Sequence, residues 1–359
     1  MLYLYRIYGV FAALAFLCVR SVAVAAAGYT VVDLGALPHS TSQVIRAINN
    51  SGEIVGGVRT PGALHRAFIL SSMGFERIEG LPGTDYSAAR GINDLGEIVG
   101  SSNSASSVEA FRWTRQAGVQ RLAALPGDNS SEAFGINTHG QVVGHSSGPA
   151  GIRAVLWTRN GAIREIGTLP GSIYSRALAI NDHGDIVGTS GSSPAVRAFL
   201  WTDSGGMYDL GTLPGDSGSE ALHINSAGEV AGYSSGPRGS SPVLWSARGA
   251  IQDLGALPGG QYGRARAINA RGEVVGYSGS SHASRAFLWT RNGGMQDLNT
   301  VIPAASGFVL TEAAAINDQG RIVAIGRDDP HGGVEHQHED MHGPQTQLPI
   351  RIFLLVPAP

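Results

Sequence analysis

Hydrophobic residues in this chain fall in short runs, and glycine-rich or polar punctuation separates them at nearly constant intervals. Arg176 to Gly215 displays the pattern, with RALAIN, DHGDIVG, TSGSSPAV, RAFLWT, DSGGMYDL and GTLPG following one another without a gap. Its Ile-Asn pair recurs at Ile48-Asn49, Ile92-Asn93, Ile136-Asn137, Ile180-Asn181, Ile224-Asn225, Ile268-Asn269 and Ile316-Asn317, stepping 44 residues five times and 48 once. A fixed period in that range marks a repeat architecture.

Each copy holds four apolar segments, which predict four short strands. The first ends in Ala-x-x-Ile-Asn, as at Ala177 to Asn181. Asn-x-x-Gly then leads into the second, Gly184 to Gly188, because Asn and Gly tolerate the positive φ of a tight hairpin. The third is Arg197 to Thr202, and the fourth, Tyr208 to Gly215, ends in Pro-Gly. Four strands in roughly 40–50 residues is the arithmetic of a β-propeller blade.

The chain ends decide the topology. First and second strands number seven each between Val44 and Ile325, and the seventh third strand is Ile352-Phe353-Leu354. A seventh fourth strand exists only if Tyr29 to Leu37, YTVVDLGAL, is counted. The expected fold is therefore all-β: a seven-bladed β-propeller of four-stranded blades, its ring closed by the N-terminal strand completing the last blade. That closure leaves no open edge between first and last blades.

Counting back from Asn in copies such as the fourth, the second and fourth positions are small, as at Ala179 and Ala177, while the first and third are larger, as at Ile180 and Leu178. Strict alternation would give each blade a small face and a large face that nest. All five tryptophans, Trp113, Trp157, Trp201, Trp245 and Trp289, share one phase of the third strand. One per repeat at fixed phase reads as inter-blade core.

Composition narrows the class further. With 51 glycines and 15% charged residues the chain suits tight turns and short strands. A net charge of −3 and the lack of any Lys/Arg-rich run argue against nucleic acid as partner. Residues 1–27 differ in kind: Arg6, then apolar Val10 to Val19, then Ala-x-Ala sites at Ala23-Val24-Ala25 and Ala25-Ala26-Ala27 read as a signal peptide. Arg20 interrupts the run, which falls short of the ~18–20 apolar residues of a membrane span. Export to periplasm or exterior is expected, leaving a single domain over residues 28–359 with no transmembrane span. Its one cysteine, Cys18, leaves with the signal, so the mature domain must be held by its own core.

At RAFLWT, INxxGxIVG and DLGxLPG the chain resembles the HAF-repeat family of bacterial extracellular proteins, whose His-Ala-Phe motif is matched by Arg197-Ala198-Phe199 and Arg285-Ala286-Phe287. The resemblance implies export and a repeat fold. It carries no catalytic residues over, and Arg standing for His removes any role for that imidazole.

Three patterns invite chemistry. Gly215-Asp216-Ser217-Gly218 spells a serine-protease nucleophile motif, but it occupies the turn that reads PGDNSS at Pro126, and a triad is defined by geometry. Five residues before each Asn, Glu132, Arg176, Glu220, Arg264 and Glu312 alternate in sign; they are expected to form a circle of inter-blade ion pairs. The alternative is a polar ring lining the central channel, extended by Arg46, Arg90 and Arg266. Finally, the seventh copy carries a long insertion, residues 327–349, where His331, Glu335, His336, His338 and His342 could gather Zn or Cu. No catalytic residues stand out. The expected function is a monomeric binding or interaction module for an extracellular glycan or protein. The alternatives are a hydrolase or lyase of extracellular polymers and a structural envelope protein.

Overall fold

The computed structural model describes residues 24–26, 28–35, 37, 42–59, 65–104, 106–192, 195–281, 283–302, 307–328 and 350–358. They form a ring of seven antiparallel sheets, six of them with their strands side by side in chain order from the central channel outward. Blade 1 runs through Ser42–Ile48, Ile54–Arg59, His65–Ser71 and Gly74–Ile78. Blade 4 repeats it with Tyr174–Ile180, Ile186–Ser192, Ala195–Thr202 and Gly206–Asp209. The four-residue excess before the last Asn is taken up next to a 3-10 turn, Leu298–Val301, and in a longer inner strand, Phe308–Ile316.

Blade 7 combines both ends of the chain. Phe308–Ile316, Ile322–Asp328 and Ile350–Pro357 supply three strands, and Tyr29–Gly35 is the fourth. Its register runs from Tyr29 opposite Pro357 to Gly35 opposite Ile352. The expected closure is thus observed. A further short strand, Val24–Ala26, folds back on Tyr29–Val31 through Gly28, whose φ of 94° suits a tight return. It lies within the segment read as signal peptide, of which residues 1–23 and 27 are outside the described residues.

The core is divided among the interfaces, one apolar cluster for each pair of neighbouring blades. Every tryptophan is buried in such a cluster, as expected. Phe111 and Trp113 of blade 2, for example, pack on Val55, Ala67 and Ile69 of blade 1.

Strict alternation in the inner strand does not hold. All seven inner strands carry a register shift around the third residue before Asn, between Ala177 and Ala179 in blade 4. That extra residue leaves the blade face and turns to the channel, as a β-bulge does. The small residues on either side therefore face opposite neighbours: Ala177 packs toward blade 3, Ala179 toward blade 5. The bulge also explains the second glycine of GxIVG. A Cβ at Gly100, Gly144 or Gly188 would stand 1.9 Å from the carbonyl oxygen of Ala88, Glu132 or Arg176, so only glycine fits under the bulged strand. Blade 7 has Ala324 at this place and a second register shift, between Leu310 and Glu312, that moves the opposing backbone.

The repeated Asn does more than turn the chain. Asn49 Nδ2 donates to the Asn93 carbonyl at 3.1 Å, and the bond recurs from Asn93, Asn137, Asn181, Asn225 and Asn269 to the next blade at 2.9 to 3.2 Å. Asn317 returns to the Asn49 carbonyl at 3.0 Å and closes the belt. In six blades the second amide proton goes to the side chain four residues on, Glu53, Glu97, Gln141, Asp185, Glu229 or Glu273. The Oδ1 accepts the backbone N–H of that same residue. These asparagines are only 2–5% exposed, and a buried amide left unpaired would be costly.

Two outcomes follow. Deleting residues 29–37 removes buried Val31, Val32, Leu34 and Leu37, each worth roughly 1.5–3 kcal/mol, and uncovers the edge of Ile350–Pro357. The melting temperature should fall by on the order of 10 °C or more, and a truncation that melts with the full chain would refute strand closure. Asn93→Ala should cost ~2–4 kcal/mol in urea denaturation, because it strips partners from the Asn137 carbonyl, Glu97 and two backbone amides. Asn317→Ala should cost about 1 kcal/mol less, since Arg321 in the fourth position after it offers no acceptor. Equal losses at the two sites would contradict this partition.

Candidate functional site

The bulge positions decide what the channel presents. Arg46, Arg90, Phe134, Leu178, Leu222, Arg266 and Ala314, one from each blade, line a chamber of about 180 Å³. All but Ala314 lie outside the inter-blade clusters, and these positions are where the repeat departs from its own symmetry. Around the ring Arg266, Arg46 and Arg90 come from blades 6, 1 and 2, whereas Phe134, Leu178 and Leu222 come from blades 3, 4 and 5. One arc is cationic, and the facing arc is apolar.

Two of the three arginines have carboxylate partners. Arg90 pairs with Glu132 at 3.4 Å and Arg266 with Glu312 at 2.7 Å, each reaching into the following blade. Arg90 also lies 5.4 Å over the Phe134 ring, and Arg266 lies 5.3 Å over Tyr277. Arg266 makes its pair through Nε, whereas Arg90 pairs through Nη2 and its Nε is buried without a hydrogen-bond partner. Arg46 makes no ion pair or hydrogen bond among the described residues. Burial, then repulsion from Arg90 and Arg266, holds its pKa below the usual arginine value, although it stays charged.

The expected circle through Glu132, Arg176, Glu220, Arg264 and Glu312 is not formed: among the described residues no ion pair joins two of its members. The bulge is the reason, because it turns Arg90 and Arg266 toward the carboxylates that the circle would have used. Arg264 instead lies 4.1 Å over the Tyr233 ring. Counting the whole rim, five guanidinium groups face three carboxylates, so the field is not cancelled.

Toward the Asn belt the channel continues into a second chamber of about 200 Å³, whose rim carries Asp94, Asp182 and Asp318. These aspartates are engaged, Asp94 by Asn50, Asp182 by the Thr138 amide and Asp318 by the Ala270 amide. His223 borders both chambers. It occupies the position that is alanine or glycine in every other blade, a departure visible in the sequence but overlooked among more conspicuous histidines. Its Nδ1 accepts the Ile268 N–H at 3.5 Å, and burial lowers its pKa, which keeps the ring neutral.

The other sequence candidates fare differently. Asp216 of the protease-like motif accepts a hydrogen bond from Ser234 at 2.6 Å, as Asp128 does from Ser146, so it closes a turn. His331, Glu335, His336, His338 and His342 lie outside the described residues. Among the described residues no group of three or more His, Cys, Asp and Glu side chains could hold a metal. No described helix is long and apolar enough to cross a membrane.

No family model matches the chain, and no curated protein sequence matches it. Solved structures with the same fold include a streptogramin B lyase, 14% identical, with a TM-score of 0.57 over 93% of this chain and 100% of that one. Virginiamycin B lyase from Staphylococcus aureus is also 14% identical, with a TM-score of 0.55 over 91% of this chain and 99% of that one. The β-propeller domain of the trilobed protease from Pyrococcus furiosus is 11% identical, with a TM-score of 0.52 over 86% and 98%. That domain is described as having an open velcro topology, whereas the N-terminal strand closes the ring here. At these identities the likeness is one of fold.

One titration at the rim can be checked directly. His145 stacks on Phe134 at 5.6 Å, is 8% exposed, and has a buried Nδ1 without a partner. Burial, with Arg176 and Arg90 nearby, pushes its pKa from 6.5 down to about 4. Protonation therefore favours the unfolded chain: the contribution is complete above pH 6.5 and is lost as pH falls from 6.5 toward 4. At ~1.4 kcal/mol per pH unit the loss is on the order of 3 kcal/mol. His145→Tyr, the residue that blades 5 and 6 carry at this place, should flatten stability over that window, and an unchanged acid limb in denaturation curves would refute the assignment.

Proposed function

We propose that this protein is an exported ligand-binding propeller, and that its ligand occupies the bulge-lined chamber of about 180 Å³, the upper chamber, reached from the face carrying the loops between second and third strands. The observation that supports this most is where symmetry fails. The belt, turn and interface positions repeat from blade to blade, while six of the seven bulge positions sort into a cationic and an apolar arc, with Ala314 between Arg266 and Arg46. A scaffold needs only the repeating positions; varied side chains on a rigid frame are what a binding site requires. Export rests on the N-terminal residue pattern and agrees with the HAF-repeat resemblance of the motifs. Binding is favoured over catalysis because the described chamber lining offers imidazole and guanidinium groups but no hydroxyl or thiol nucleophile.

Ala314 provides the test. It lines the chamber and is small, so Ala314→Cys followed by a bulky maleimide should block the site while leaving the belt intact. Purified parent and variant, both treated with maleimide to control for Cys18, are screened by thermal shift against small anions, neutral solutes and cations. Ligands that stabilise the parent should lose their effect on the blocked variant. Stabilisation that survives the block would place binding elsewhere.

A further inference from the structure

We propose that the upper chamber recognises a small organic carboxylate carrying a compact apolar group, a proposal that rests on the chamber being the binding site. Charge sets the head group. Of the three arginines that line the chamber, Arg90 is paired with Glu132 and Arg266 with Glu312, and Arg46 is left without an ion pair. One uncompensated guanidinium calls for one negative charge, and its planar fork suits the two oxygens of a carboxylate. A dianionic phosphate would exceed that charge and meet the two glutamates at close range. The buried Nε of Arg90 has no partner and is a further unmatched donor of the arc.

Shape sets the tail. Phe134, Leu178 and Leu222 face the arginines across the channel, so an acid held by Arg46 lays its substituent on an apolar wall. About 180 Å³ is well under the ~300–1,000 Å³ of sites for drug-sized molecules. The space suits a group of the size of a phenyl ring or a branched alkyl chain. Polarity along the channel agrees, because the aspartates around the second chamber would repel an anion advancing past His223.

Calorimetric titration with phenylacetate, phenylacetamide, acetate, phenyl phosphate and benzylamine separates the terms. Phenylacetate should bind at least tenfold more tightly than each of the other four. Arg46→Gln should abolish the preference for acid over amide, and Leu178→Ser should shrink the preference for phenylacetate over acetate while keeping acid over amide. Arg46 and Leu178 face the channel, so both variants should melt within a few degrees of the parent. Amide binding equal to acid, tighter binding of the phosphate or the amine, or an unchanged preference in Arg46→Gln would overturn the proposal. If phenylacetate fails while other solutes are still lost on blocking Ala314→Cys, the ligand class is wrong and the chamber stands. Phenylacetate binding that persists in the blocked protein would instead remove the site itself.

Discussion

Seven side-chain amides hold the ring. Each Asn donates across one interface to the next Asn carbonyl, so the belt ties all seven blades into one closed set of hydrogen bonds. A repeat buries its apolar faces only on neighbours, and apolar contact alone is tolerant of sliding. Directional bonds between buried atoms are not. They set where each inner strand must end, and the acidic or Gln side chain four residues on locks the donor in place in six of the blades.

A second layer of bonds fixes the same register farther out. The amide of the third-strand alanine, which precedes Phe in blades 1, 2 and 4 and Val in blade 3, donates to a serine hydroxyl of the following blade, Ala67 to Ser87, Ala110 to Ser131, Ala154 to Ser175 and Ala198 to Ser219, at 2.9 to 3.1 Å. Blade 5 has Pro242 in place of that alanine and so no N–H to give. The partner position in blade 6 is Gly263, where a Cβ would come within 3.3 Å of the proline ring. The donor and the acceptor have been given up together, which leaves no buried hydroxyl unpaired.

How much of this was legible depends on which physical term decides each residue. Strand number, closure by Tyr29–Gly35 and tryptophan burial follow from period and hydrophobic pattern, and these were readable. The bulge was not, because Leu178 and Arg46 look like ordinary members of an alternating strand. Only the spatial clash at the second glycine of GxIVG betrays the extra residue. The charge circle failed for that reason: pairs were assigned by equal position in the repeat, whereas the bulge lets Arg90 reach the Glu of the next blade. Pro242 and Gly263 lie 21 residues apart in the chain, and only the interface brings them together. His223 stood in plain view as the one large residue at a position of alanine and glycine.

The bulge also explains why a channel site can vary without loss of the fold. In a regular strand each side chain packs on one neighbour or the other, so changing its charge or size disturbs an interface. Apart from Ala314, which packs against the cluster between blades 7 and 1, the extra residue belongs to no interface cluster, and in six blades its backbone is accommodated by glycine on the adjacent strand. Arginine, phenylalanine, leucine and alanine can therefore exchange there at little cost to the ring. The asparagine belt and the interface clusters bear the stability, and the bulge positions are left to chemistry. The fold itself demands neither the cationic arc nor the apolar one at those positions.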